Sequence, residues 1–369
     1  MPRGTTIRTI LALATMATVV ALGVAPGAAQ ARGRSQEDSG WTSVPIPRPA
    51  GLLAVSGTST SDVWAVGYIY NQQFAVYRPV AMHSAGAAFV DTKVPIKGRG
   101  YSVFNTVAAV APNDVWAAGY WNTIPTYSGS GLPLFEHWDG TAWQVVPSPD
   151  VGGGQVWGLA AVASNDVWAV GELTDAATLV EHWDGSRWRR VPAPYGKGLG
   201  WLFGVSARSA NDVWAAGGAY HGSELDSAVL HWDGSSWTEF PSANSPDEYN
   251  ELAAIVADPA SDDLWAVGNH TPGLGYFQLS ERYDGTTWTV LPAPPGHDEV
   301  VLNGVTVDAA GVAWAVSSTY GAHPLIQFWN GSAWEVDPVP GLAGRGLWGI
   351  TRIGSTLWTV GSSVVLVHR

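Results

Sequence analysis

The sequence predicts an all-β chain folded as a seven-bladed β-propeller of four-stranded blades, its ring closed by pairing the two ends of the chain. Three observations carry this reading. A tryptophan-centred phrase returns seven times, an aromatic hairpin phrase follows most of its copies, and the last copy stops one strand short.

The first phrase is Asp-Val-Trp-Ala-Val-Gly, at Asp62 to Gly67. It returns from Asp114, Asp166 and Asp212, then from Asp263 with leucine for valine, and looser copies centre on Trp314 and Trp358. Successive tryptophans lie 52, 52, 46, 51, 49 and 44 residues apart, the length of a four-stranded blade and too long for a helical hairpin. The second phrase, Glu-His-Trp-Asp-Gly-x-x-Trp, runs from Glu136 to Trp143 and from Glu181 to Trp188. Variants run from Leu230 to Trp237, Glu281 to Trp288 and Gln327 to Trp334, with Tyr283 and Asn330 as substitutions.

Alternation and turn chemistry place strands within a blade. In the third repeat Leu159 to Ala163 is the innermost strand, Val167 to Gly171 the second and Leu179 to Trp183 the third. Asp184-Gly185 is expected to supply the positive φ angles of a tight hairpin before the outer strand, Trp188 to Val191. The chain ends on Val364 to His368, a third strand with no outer strand after it. Residues 41–45 have the shape of an outer strand with nothing before it, so they are expected to pair with residues 364–368 and protect both edges.

Residues 1–31 read as a secretory signal peptide: Arg3 and Arg8 precede an apolar stretch from Ile10 to Val24, then Ala29-Gln30-Ala31. That stretch falls short of the roughly 20 residues of a membrane helix. Arg3 and Arg8 are not adjacent, so this is no twin-arginine address. A disordered linker over 32–40 and one propeller domain over 41–369 complete the expected organisation, with a secreted protein, no membrane span after cleavage, and a monomer. The absence of cysteine excludes a thiol nucleophile, a thiolate metal site and any disulfide. Loss of Arg3 and Arg8 leaves 16 basic against 31 acidic residues, so nucleic acid is excluded as a partner.

Of the 21 tryptophans, 17 recur at repeat positions and are assigned to packing between blades. The other four, Trp121, Trp157, Trp201 and Trp348, fall on the face that carries the variable loops, with Tyr101, Tyr220, Tyr276 and further tyrosines. The residue at the top of each inner strand breaks the repeat: Leu53, Asn105, Trp157, Phe203, Glu251, Asn303 and Trp348. An asymmetric pocket requires such a break. The candidate binding set is therefore Trp121, Trp157, Trp201, Phe203, Trp348, Tyr101, Tyr220, Tyr276, Asn105 and Asn303. The same face carries acidic residues including Glu172, Asp247 and Glu248, and Glu251, Asp298 and Glu299 are the candidate catalytic carboxylates. His221, His270, His297 and His323 are available there as a base or ligands, but no metal or cofactor is expected. His137, His182 and His231 share one strand position and are assigned to the scaffold. No phosphate loop, nucleophile elbow or metalloprotease motif occurs.

The order Val-Trp-Ala-Ala-Gly-Gly, variable loop, Leu-His-Trp-Asp-Gly-x-x-Trp, at Val213 to Gly218 and Leu230 to Trp237, resembles the kelch repeat of galactose-oxidase-like propellers. Other blades keep one of the two glycines, as at Gly171 and Gly268, and the resemblance covers residues 41–369. It implies the propeller architecture. The copper-radical oxidases of that family need a cysteine–tyrosine crosslink that this chain cannot form. The Trp-Asp-Gly-x-x-Trp hairpin is also similar to the Asp-box of sialidases and to the hairpins of propeller lectins, although the Asp-box separates its Asp and Gly by one residue. No arginine trio at matching positions supports a sialidase.

The expectation for function is a secreted binding protein that takes carbohydrate or a cell-surface partner on its aromatic face. The alternatives are an extracellular glycan-cleaving enzyme using carboxylates of that face, and a protein-interaction scaffold.

Overall fold

The computed structural model describes residues 40–124, 131–246, 249–273, 275–319, 324–339, 341, 342 and 344–369. The expected signal peptide, most of the linker, and Tyr127, Asp247, Glu248, Tyr320 and His323 lie outside the described residues. The described residues form seven antiparallel sheets of four strands. Blades 1 to 6 cover residues 51–91, 102–145, 154–190, 200–240, 250–290 and 300–337. Blade 7 combines Leu347–Ile353, Thr356–Gly361 and Val364–His368 with the N-terminal strand Trp41–Ser43. The inner strands contact one another in sequence, and the first contacts the last, closing a ring.

That closure follows the expected register: Trp41 faces His368, Thr42 faces Val367 and Ser43 faces Leu366, and the Val44 amide donates to the Val365 carbonyl at 2.9 Å. Trp41 is buried and its indole donates to Asp337 of blade 6 at 3.2 Å, so the N-terminal strand is tied to two blades.

The inner strands run nearer to the mouth than predicted; in blade 3 the strand is Gly154–Ala163. Every inner strand carries a β-bulge near its start, in blade 3 between Val156 and Gly158. The bulge presses a carbonyl against the second strand, which explains the glycine that ends the Asp-Val-Trp phrase. A Cβ at Gly171 would lie 2.0 Å from the Gln155 carbonyl oxygen, and one at Gly268 would lie 1.9 Å from that of Glu251.

The motif tryptophans are 0–5% exposed. In blades 1 to 4 each carries a histidine of the third strand on its ring. Trp64 and His83 lie 4.4 Å apart, Trp116 and His137 4.6 Å, Trp168 and His182 4.3 Å, and Trp214 and His231 4.1 Å. Each histidine Nε2 bonds the aspartate of the same phrase at 2.7–2.9 Å, so the scaffold assignment extends to His83. In blade 5 Arg282 lies 5.3 Å above Trp265 and binds Asp263.

Of the Asp-Gly pair in each hairpin only the glycine has positive φ, 87° at Gly185, which corrects the two-residue turn expected there. Four residues separate the paired Trp183 and Trp188. Asp184 instead accepts from the Ser186 and Arg187 amides and the Ser186 hydroxyl at 2.6–3.0 Å, an Asx-type cap. Asp139, Asp233, Asp284 and Asn330 repeat this cap. The donors stabilise the ionised form, so the carboxyls of Asp139 and Asp184 are held well below the usual range and those of Asp233 and Asp284 at about 2.

Glutamates begin the hairpin phrase at a position that faces the core. Glu136, Glu181 and Glu281 are 0% exposed, and burial pushes their carboxyls up to about 8, 7 and 8. Glu281 accepts from the Ser227 hydroxyl and the Ala243 amide across the seam to blade 4.

Candidate binding site at the channel mouth

The bulge positions define two rings of side chains at the mouth of the channel. The bulged residues are Leu53, Asn105, Trp157, Phe203, Ala253, Asn303 and Trp348. Six of the seven match the expectation; the fifth is Ala253 and not Glu251. Ala253 lies one residue further from its motif tryptophan than the bulged residues of blades 1 to 4 and 6 do, the turn from Asp258 to Asp263 being longer. Glu251 lies two residues nearer the mouth, level with Gln155 and Trp201 in a second ring.

Across blades 3, 4 and 5 these rings bring aromatic and acidic groups together. Trp201 donates its indole N–H to Glu251 at 2.6 Å, from blade 4 to blade 5. In blade 3 Gln155 and Glu172 are cross-strand partners, and the Gln155 amide donates to the Glu172 carboxylate at 2.5 Å. Trp157 and Phe203 meet edge to face across the seam between blades 3 and 4, with centroids 5.4 Å apart. Trp201 meets Tyr220 in the same manner at 5.8 Å. Such pairs contribute about 0.5–1.5 kcal/mol beyond their burial, which fixes the rings before any ligand arrives.

Enclosure by protein pushes the Glu251 carboxyl up to about 7, the Trp201 N–H opposes that rise, and the nearby charge of Glu172 adds to it. Burial also raises Glu172, opposed by Gln155 and by the Trp157 indole. Tyr220 is raised by burial and by the neighbouring Tyr249 and Glu251. The arc thus holds two carboxyl groups that share the field of one another and keep their protons to higher pH than free carboxylates do. Near neutrality Glu251, at about 7, both donates and accepts hydrogen bonds.

The other candidates are dispersed. The Asn105 and Asn303 side-chain amides donate at 2.8 Å to the Val156 and Leu347 carbonyls of the next blades, so their N–H groups join blades at the bulge. Trp121 packs into the seam between blades 1 and 2, with the Lys97 ammonium 4.7 Å above its ring. Tyr101 belongs to a separate patch, 5.5 Å from Tyr77, with Tyr68 and Tyr70 beyond. Trp348 takes its ring position in blade 7, and Tyr276 is half-buried beside the third strand of blade 5. Asp298 and Glu299 are exposed on the loop ahead of blade 6, where the Asp298 backbone carbonyl receives the Gln278 amide. Sequence reasoning named Glu172 without a partner and missed Gln155. The signal for Gln155 is its register, two residues before the bulge and level with Trp201 and Glu251.

Fold and mouth together define a seven-bladed β-propeller with an asymmetric aromatic and acidic arc at one end of its channel. Solved propellers are similar to it over 89% of this chain. YCF48 bound to D1 peptide matches at 16% identity and a TM-score of 0.58 over 94% of its own chain. YCF48 from Cyanidioschyzon merolae matches at 15% identity, 0.59 and 98% of its chain. A catalytically inactive virginiamycin B lyase from Staphylococcus aureus with quinupristin matches at 14% identity, 0.61 and 98% of its chain. At these identities the likeness carries the fold alone. No family model matches the sequence, and neither does any curated protein.

Proposed function

We propose that this chain is a secreted binding protein, and that the arc across blades 3 to 5 takes a neutral, hydroxyl-rich ligand of the carbohydrate class. The observation that carries the reading is the Trp201 to Glu251 hydrogen bond at 2.6 Å, which locks an aromatic ring beside a carboxyl that is part-protonated near neutral pH. Aromatic rings stack on the apolar faces of sugar rings, and such a carboxyl both donates to and accepts from hydroxyls. The chain's net charge of −13 and the absence of a basic group among Gln155, Trp157, Glu172, Trp201, Phe203, Tyr220 and Glu251 disfavour an anionic glycan.

One observation favours catalysis: a raised carboxyl beside a second carboxyl is the arrangement of a glycosidase acid and its partner. Against it, burial raises Glu172 as well, so the environments of the two carboxyls push both the same way and do not set an acid apart from a base. The kelch-like pattern of the repeat is compatible with either reading. The peptide held by YCF48 supports a protein partner as the next candidate.

The test is retention of the full chain on cellulose, xylan and chitin against the anionic polymer alginate, with soluble products recorded in parallel. Retention on a neutral polymer, lost in Trp201→Ala and without products, supports the reading. Products that disappear in Glu251→Gln replace it with the enzyme, and retention on no polymer removes the carbohydrate reading.

A further inference from the structure

On the opposite face, every seam but one is filled by an aromatic ring. In blades 2 to 6 the residue that opens the hairpin lays its ring on the motif tryptophan of the preceding blade, and in blade 7 His368 takes that place. Trp138 lies 5.1 Å from Trp64, Trp183 4.8 Å from Trp116 and Trp232 4.9 Å from Trp168. Tyr283 lies 6.0 Å from Trp214, Trp329 5.8 Å from Trp265, and His368 5.3 Å from Trp314. All six pairs are tilted, with interplanar angles of 39–57°. In blade 1 the same position, the residue paired across the hairpin with Phe89, is Ser84. The tryptophan it should cover is Trp358 of blade 7.

A cavity of about 460 Å³ opens at that seam, lined by Thr60, Ser61, Gly86, Ser355, Thr356, Trp358 and Arg369. Trp358 lines the cavity with 2% of its surface exposed, and Phe89 of blade 1 already meets its ring edge to face at 6.2 Å, as Trp143 meets Trp64 at 5.2 Å in the next seam. A polar partner is also in place. In blades 2, 3 and 4 the hairpin indole donates its N–H to the carbonyl two residues before the motif aspartate: Pro112, Ser164 and Ala210, at 3.1–3.3 Å. The equivalent carbonyl in blade 1 belongs to Thr60, on the cavity wall.

We infer that the seam between blades 7 and 1 is a binding site for an indole ring supplied by another molecule, seated where five other seams hold a hairpin Trp or Tyr of the chain itself. Residues 1–40 contain no Trp, Tyr, Phe or His, so the N-terminal segment has no ring to give. The occupant meets Trp358 and donates its ring N–H to the Thr60 carbonyl, with the hydroxyls of Ser61 and Ser355 beside its polar edge, while the Thr356 hydroxyl is engaged by the Ile353 carbonyl and the Trp358 indole. This site is independent of the mouth.

The experiment is calorimetric titration of the full chain with N-acetyltryptophanamide at millimolar concentration. Saturable binding is expected, weakened about tenfold or more for the 1-methylindole analogue, which has no N–H to donate. Ser84→Trp fills the seam from within and is expected to abolish binding while the melting temperature holds or rises. In case that variant fails to fold, indole ¹⁵N spectra of the native chain give a second reading, in which the Trp358 resonance moves with added ligand and that of Trp64 does not. No binding, equal binding of the methylated analogue, undiminished binding to a folded Ser84→Trp chain, or a silent Trp358 resonance overturns the inference. A tryptophan-containing peptide that binds more tightly than the amide points to a protein source, and equal affinity points to a free indole; both support the site.

Discussion

Trp201 and Glu251 are 50 residues apart in sequence and on different blades, yet the indole of one donates to the carboxyl of the other at 2.6 Å. The bond opposes the rise that burial imposes on Glu251, and Glu172 reinforces that rise. Two substitutions therefore move the same group in opposite directions. Trp201→Phe removes the donor and is expected to raise Glu251 above about 7, whereas Glu172→Gln removes the neighbouring charge and is expected to lower it. Carboxyl ¹³C titration by NMR reads both, and a shared direction would show that the two groups do not act on Glu251 as placed.

The buried glutamates give the fold a pH dependence with a definite sign. Their folded values of about 8, 7 and 8 lie above the unfolded value of 4.5, so the folded state holds protons that the unfolded state releases. Their stabilising contribution is complete below about 4.5 and is lost as pH rises through 7–8. Melting temperature is expected to fall between pH 5 and 9. Glu136→Gln or Glu281→Gln is expected to recover on the order of 1–3 kcal/mol at pH 9, measured by urea unfolding. The hairpin aspartates act in the other direction, since protonation breaks their caps only in strong acid.

His182 touches Trp168 at 4.3 Å and Asp166 at 2.7 Å, and both contacts fix the motif indole of blade 3. His182→Ala is expected to cost about 1–2 kcal/mol in chemical denaturation, with ligand retention unchanged because the residue faces away from the mouth. A neutral result would assign the stacked histidines to something other than stability.

Closure depends on one short strand. Trp41→Ala removes a buried indole and its bond to Asp337, and about 3–5 kcal/mol is the expected loss. Removal of residues 1–45 leaves Val364–His368 as an open edge, and concentration-dependent association by light scattering is expected.

The fold was legible because a repeat reports the same constraint many times. The tryptophan spacing, the hairpin phrase and the orphan strand at 41–45 each survive drift in any one blade. The site was only half legible, since it is made where the repeat fails and a single copy carries no redundancy. Trp157, Trp201 and Phe203 were visible as exceptions, but Glu251 was assigned one ring too deep because a bulge leaves no mark in the sequence and the bulged residue of that blade is the featureless Ala253. Its partner Glu172 was one acid among many until Gln155 and the register placed it. The asparagines at the bulge resembled ligand groups, and their backbone partners in the next blade were invisible in sequence.

Every motif indole but Trp358 is completed by its successor, so the unit that is repeated in the sequence and the unit that is packed in the protein are out of phase by one seam. A blade cut out alone would leave its central indole bare. A blade inserted or deleted whole would meet neighbours of the same chemistry on both sides, so the ring can alter its membership without redesign. At Ser84 and Trp358 one seam lacks the ring that the other six supply from within.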